Sequence, residues 1–265
     1  LDGTVQSSSP HPAGYSNPAQ HGYEVNRSGL STCKVCHGTA LASCNTCHGG
    51  TAWQTNCTFC HGTSPSGPAS PPVDTQGGSL ATNVSVGVHA SHVATAIASP
   101  IACVQCHPDR SASNVTTDAA HIDGNGIAEV AFGTLARTGG APATYTRTSA
   151  TSATCASTYC HGRFTGGANA TPNWTSTTAV GCASCHAGPS GGPATGEHSR
   201  HTSRMGCYIC HNAVVNSSNA ISGPALHVNG AKDVRFGGTY NSRTVTGTWT
   251  SGQCSNLSCH GNEVW

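Results

Sequence analysis

Apolar residues are sparse along this 265-residue chain and seldom periodic. Helical spacing is detectable only around Val88–Ile97, where His89 and His92 fall on one face at i and i+3. Glu129–Ala136, the turn-rich Thr138-Gly139-Gly140-Ala141-Pro142 and Thr144–Thr148 read together as one short hairpin. Residues 63–88, with Pro65, Pro68, Pro71, Pro72, Gly77 and Gly78, have the composition of a linker. The expected fold is mostly irregular coil with few short helices and short hairpins.

Composition sharpens that picture. Leu, Ile, Val and Phe make up 35 residues, about 13%, below the roughly 20% at which a chain struggles to build an apolar core. Such a polypeptide needs something else to fold around. Charge is also low: 11 Lys+Arg against 10 Asp+Glu leave a formal net charge of +1. No basic patch for nucleic acid or an anionic membrane is in prospect. The chain has no apolar run long enough to predict a membrane span, and the residues from Leu1 onward do not read as a charged-then-apolar leader, so a mature or trimmed terminus is expected.

The cysteines supply the missing core. Cys33/Cys36/His37 opens a series of Cys-x-x-Cys-His motifs continued by Cys44/Cys47/His48, Cys57/Cys60/His61, Cys103/Cys106/His107, Cys182/Cys185/His186 and Cys207/Cys210/His211. Two further copies have a four-residue spacer, Cys155-Ala-Ser-Thr-Tyr-Cys160-His161 and Cys254-Ser-Asn-Leu-Ser-Cys259-His260. Together they use all 16 cysteines. Disulfides or zinc would account for paired cysteines, but neither asks for a histidine after the second cysteine of every pair. Cys-x-x-Cys-His is the attachment signature of c-type haem: the thiols form thioethers and the histidine ligates iron. Eight covalently attached c-type haems are expected, one per about 33 residues, so that flat apolar macrocycles template the fold.

An internal repeat organises the second part of the chain. The first copy runs His89-x-x-His92, Cys103/Cys106/His107, His121-Ile-Asp-Gly124, Val130-Ala-Phe132-Gly133 and Cys155…Cys160-His161-Gly162. The second runs His198-x-x-His201, Cys207/Cys210/His211, His227-Val-Asn-Gly230, Val234-Arg-Phe236-Gly237 and Cys254…Cys259-His260-Gly261. The organisation read from this is an arm plus three-haem segment over 1–62, the linker 63–88, a two-haem repeat 89–163, a one-haem bridge 164–197 and a second two-haem repeat 198–265.

Eight histidines lie outside the motifs: His11, His21, His89, His92, His121, His198, His201 and His227. Sixteen imidazoles for sixteen axial positions predict bis-histidine ligation throughout. Chain order suggests His11 and His21 for the first two haems, then His89, His92, His121, His198, His201 and His227 for the third to the eighth. Met205 reads as a packing residue, and Asp123, Asn125 and Glu129 only faintly resemble a calcium loop.

The order His-x-x-His, Cys-x-x-Cys-His, His-x-Asp/Asn-Gly, Cys-x4-Cys-His-Gly over 89–262 resembles the CxxxxCH/CxxCH-domain extracellular multihaem cytochromes of metal-reducing bacteria, some of which polymerise into cytochrome nanowires. The resemblance implies stacked bis-histidine haems, mostly coil polypeptide and electron carriage at the cell surface or beyond it, with the periplasm as the alternative. A homopolymer and redox partner proteins or extracellular minerals are the expected partners, and no catalytic residue is expected. The alternatives are a monomeric shuttle, or an octahaem reductase, which needs an open or lysine-ligated iron. Only Lys34 and Lys232 are present, and neither follows a motif cysteine pair.

Overall fold

The computed structural model describes residues 45, 49–55, 74, 78–110, 118, 121, 123, 125–188, 192–193, 195–260 and 263–264. Its regular elements are few and short. Helix α1 spans His89–Val93, α2 Cys182–Cys185 and α3 His198–Thr202. Single 3-10 turns lie at Cys103–Gln105, Tyr159–His161 and Cys207–Ile209.

These three turns and α2 fall within attachment motifs. The His107 N–H donates to Cys103 O (2.9 Å), His186 N–H to Cys182 O (2.9 Å) and His211 N–H to Cys207 O (3.0 Å). One backbone bond thus closes each of these three Cys-x-x-Cys-His motifs into a turn, holding two sulfurs and an imidazole within five residues. Helix α1 is shorter than the Val88–Ile97 periodicity suggests. The His92 carbonyl accepts from Ile101 N–H (3.1 Å), so the chain folds back instead of extending the helix. Helix α3, the second-copy counterpart, has no apolar periodicity to announce it.

Among the described residues the strands form three small antiparallel sheets. β1 (Thr144–Arg147) pairs with β2 (Ala153–Ala156), and β3 (Thr239–Tyr240) with β4 (Arg243–Thr244). β5 (Thr248–Thr250), β6 (Gln253–Ser255) and β7 (Glu263–Val264) make a three-stranded sheet in that order. The sequence hairpin is corrected here: Thr144–Arg147 is a strand, but its partner follows it. Residues 129–133 cannot be that partner because their backbone is committed to the motif at His107. Ala131 N–H donates to Cys106 O and Gly133 N–H to Gln105 O, each at 2.9 Å.

The long-spacer motifs grow from these sheets. Cys155 lies on β2 opposite Tyr145, and Cys254 on β6 opposite Trp249. Two residues after each cysteine the backbone turns left-handed, at Ser157 (φ 53°) and Asn256 (φ 54°). The extra two spacer residues are what a cysteine leaving a strand needs to turn back toward its partner.

The core is thin, as the composition requires. Val84, Val86, Val93, Ala136, Ala153, Ile209, Val214, Val215 and Val245 are buried, and Ile209 is the largest fully buried side chain. Among the described residues no helix is long and apolar enough to cross a membrane.

Candidate haem sites

Among the described residues, five pairs of imidazoles face one another. Ring centres are 6.1 Å apart for His89–His107, 6.0 Å for His92–His161, 6.3 Å for His186–His227, 6.3 Å for His198–His211 and 6.0 Å for His201–His260. A metal–nitrogen bond of about 2 Å on each side, plus about 1.15 Å from nitrogen to ring centre, sets two trans imidazoles about 6.3 Å apart. Each pair joins one motif histidine to one histidine outside the motifs. The donor set therefore fits haem iron at five places.

Chain order misassigned these partners. His89 stands opposite His107 rather than His61, His92 opposite His161, His198 opposite His211, His201 opposite His260 and His227 opposite His186. Each His-x-x-His turn still serves two successive motifs, but they are the two motifs of its own repeat, because the turn folds directly back onto the chain that follows. The last histidine of the second copy reaches back to the bridge. His121 belongs to none of these five pairs.

The three upstream motifs are not among these sites. Cys33, Cys36 and His37 of the first, Cys44, Cys47 and His48 of the second, and Cys57, Cys60 and His61 of the third all lie outside the described residues, as do His11 and His21. Their expected roles as thioether and iron ligands rest on the sequence.

The other ring nitrogen decides whether an imidazole can ligate. Nδ1 meets a backbone carbonyl at His89 (Val86 O, 2.6 Å), His92 (Val88 O, 3.0 Å), His107 (Glu129 O, 2.7 Å) and His198 (Thr195 O, 2.7 Å). It does so again at His201 (Glu197 O, 2.8 Å), His211 (Asp233 O, 2.6 Å) and His227 (Ile97 O, 2.6 Å). A carbonyl can only accept, so Nδ1 carries the proton and the Nε2 lone pair is left for a metal. Two of these contacts explain the Val-x-Phe-Gly repeat. Glu129 and Asp233, just ahead of it, bracket the motif imidazoles, while Ala131 and Arg235 N–H hold Cys106 O and Cys210 O. Glu129 thus acts through its carbonyl, and among the described residues no acidic cluster suits a cation. The repeat made this arm visible in the sequence; its acceptor role was missed.

Between the copies the two kinds of motif touch. Ala168 N–H donates to Cys185 O (2.9 Å), Gly167 bridges to His186, and the Cys185 thiol points at Cys160 O (3.8 Å). Gly162 is left-handed (φ 94°), and a Cβ there would lie 2.5 Å from Cys185 O. Only glycine lets the motifs approach so closely.

Residues 154–186 match the family model of the Geobacter CxxxxCH...CXXCH motif. No curated protein and no solved structure matches the chain. The matched span is this junction, from Thr154 on β2 to His186. It supports a multihaem c-type cytochrome-like domain with covalently bound haem, and electron transfer as its chemistry.

The surroundings of these sites suit an apolar macrocycle. A cavity between His201 and His260 is lined by Met205, Ile209, Phe236, Val245 and Leu257, with Cys254 and Cys259 at its wall. Met205 is thus a packing residue there. Burial lowers the His161 pKa to about 4, helped by the neighbouring His92, so its imidazole is neutral and able to donate a lone pair. Burial raises Cys155 and Cys160 to about 11, with Cys106 adding to both. Cys210 is raised likewise to about 11, by burial and then by Cys254 and Cys259. Cys207, raised by burial, also feels Cys182.

The influence of one motif's thiols on the next accompanies their proximity. The His107 motif adjoins the His161 motif, which adjoins that of His186, then His211, then His260. Among the described motifs, neighbours along the chain are neighbours in space. Trp174, from the bridge, braces the first copy: its ring lies 4.6 Å from His89 and 5.6 Å from His92, centre to centre, and its Nε1–H donates to Val84 O (2.7 Å).

Proposed function

We propose that the protein is an octahaem c-type cytochrome that conducts electrons along a line of bis-histidine sites. The observation that carries this is the set of five opposed imidazole pairs, each beside its own cysteine pair, in an unbroken succession of neighbouring motifs. Bound haem supplies a one-electron iron couple in a large conjugated ring. The polypeptide supplies two neutral nitrogens per iron, an apolar cavity wall and short spacing between sites.

The count of eight rests on the sequence, in which the three upstream motifs have the same Cys-x-x-Cys-His form. His227 serves the motif ahead of its own repeat. By the same correspondence His121 serves Cys57/Cys60/His61, and His11 and His21 the remaining two. Paired imidazoles fill both axial positions, which favours a carrier over an enzyme.

We place the protein outside the cytoplasm, at or beyond the cell surface, as the subunit of a filament with redox proteins or minerals as partners. A net charge of +1 and few charged residues favour close contact between copies over repulsion. Intact mass tests the count: eight haem additions are expected, and fewer would overturn it. Cryo-electron microscopy of the surface fraction tests assembly, with discrete particles in place of filaments counting against the polymer. Carbon monoxide binding to the reduced native protein would replace the carrier by an enzyme with an open iron.

A further inference from the structure

The motif imidazoles are not held alike. His107 and His211 each donate Nδ1–H to a carbonyl on the Val-x-Phe-Gly arm, and their facing partners His89 and His198 are bonded in the same way. Both imidazoles are therefore electron-rich at these two sites. His186 differs. Its Nδ1 is buried and has no hydrogen-bond partner among the described residues. No Val-x-Phe-Gly arm follows its motif; its backbone bridges to Gly167, and the Phe164 ring packs against the imidazole at 5.4 Å between centres. Across from it, only His227 has a carbonyl, Ile97 O.

A hydrogen bond to the non-ligating nitrogen makes an imidazole more basic and favours ferric iron; its loss favours ferrous iron. We infer that the His186–His227 site has a higher midpoint potential than the His89–His107 and His198–His211 sites, and is the point between the two copies where an electron rests. His186 is thus a tuning residue, and Phe164 tunes it by packing its ring on an imidazole that lacks the carbonyl offered to His107 and His211. A single electron is involved: the His186 site is reduced by one as a neighbouring site is oxidised by one, and no bond is made or broken. The inference rests on the reading of these sites as haem sites.

The test is a redox titration of the full chain, followed by optical and electron paramagnetic resonance spectra. Removing the attachment cysteines in Cys182→Ala/Cys185→Ala should delete a component titrating above those of the His107 and His211 sites. Deletion of a component below either would overturn the inference. Phe164→Gln places an amide oxygen beside His186 and should shift that one component downward while the His107 and His211 components stay in place; an unchanged component would count against the role of Nδ1. Should either variant fail to mature, stepwise reduction of the wild type followed by exchange NMR gives the order directly, with the site identified through contacts of the Phe164 ring. Reduction of the His186 site after those at His107 and His211 would overturn the proposal. Mass analysis of the same samples separates the two readings: no haem at Cys182/Cys185 defeats the haem assignment, whereas haem present at a lower potential defeats only the tuning.

Discussion

The imidazoles of His227 and His186 face each other at 6.3 Å, although His186 lies in the bridge ahead of the repeat that contributes His227. This contact fixes a partner that counting along the chain assigns to His260. In His227→Ala, reduced protein should bind one carbon monoxide per chain. Adding Cys182→Ala/Cys185→Ala should abolish that binding, whereas adding Cys254→Ala/Cys259→Ala should leave it. The reverse pattern would restore the chain-order assignment.

Ring orientation gives each site a spectroscopic mark. The planes of His92 and His161 cross at 73°, whereas those of His198 and His211 are within 11° of parallel. Crossed axial imidazoles leave the iron d orbitals nearly degenerate and yield a highly anisotropic low-spin resonance; parallel ones yield a rhombic resonance. The anisotropic signal is therefore expected from the His161 site and should disappear in His92→Ala, with the rhombic signals retained. Loss of a rhombic component instead would show that these ring angles do not hold when haem is attached.

Much of this was legible in the residues and some was not. The cysteine–histidine motifs and the repeat led to the coil-rich fold, because attachment chemistry imposes local spacing that survives any tertiary arrangement. Partner choice between histidines depends on where the chain turns back. The turn after His92, set by a bond from Ile101 to the His92 carbonyl, leaves no trace in composition. The hairpin failed for a related reason: residues 129–133 resemble a strand arm, but their backbone groups are spent on the motif at His107 and on the His107 imidazole itself.

Gly87 is where Trp174 closes over the first copy. Its φ is +50°, and a Cβ there would lie 2.0 Å from Trp174 Nε1. Gly87→Ala should cost about 1–3 kcal/mol from backbone strain alone, and more as the indole is pushed off His89 and His92. A lowered thermal midpoint together with altered low-spin spectra is expected; an unchanged spectrum would show that the indole does not brace the ligands.

The Val-x-Phe-Gly arm can be tested at Gly133. A Cβ at this position would lie 2.8 Å from both Val104 O and Gln105 Oε1. Gly133→Ala should lift the arm and weaken the bond from His107 Nδ1–H to Glu129 O, costing about 1 kcal/mol or more in stability. The potential at that site should rise while the His211 site, with its own arm, holds its value. Equal shifts at both sites in a redox titration would argue against a local effect.

The back-reaching His227 also bears on the timing of assembly. At four of the described sites the facing histidine precedes its motif, so a chain emerging amino terminus first has both imidazoles in hand once the motif appears. The His186 motif appears before His227 has been made. A haem held there would have His186 alone until the second copy is under way, and the carbonyl that then orients His227 belongs to Ile97, in the first copy. The junction is thus sealed after the His211 site although its motif comes first, and its closure ties the early half of the molecule to the late one.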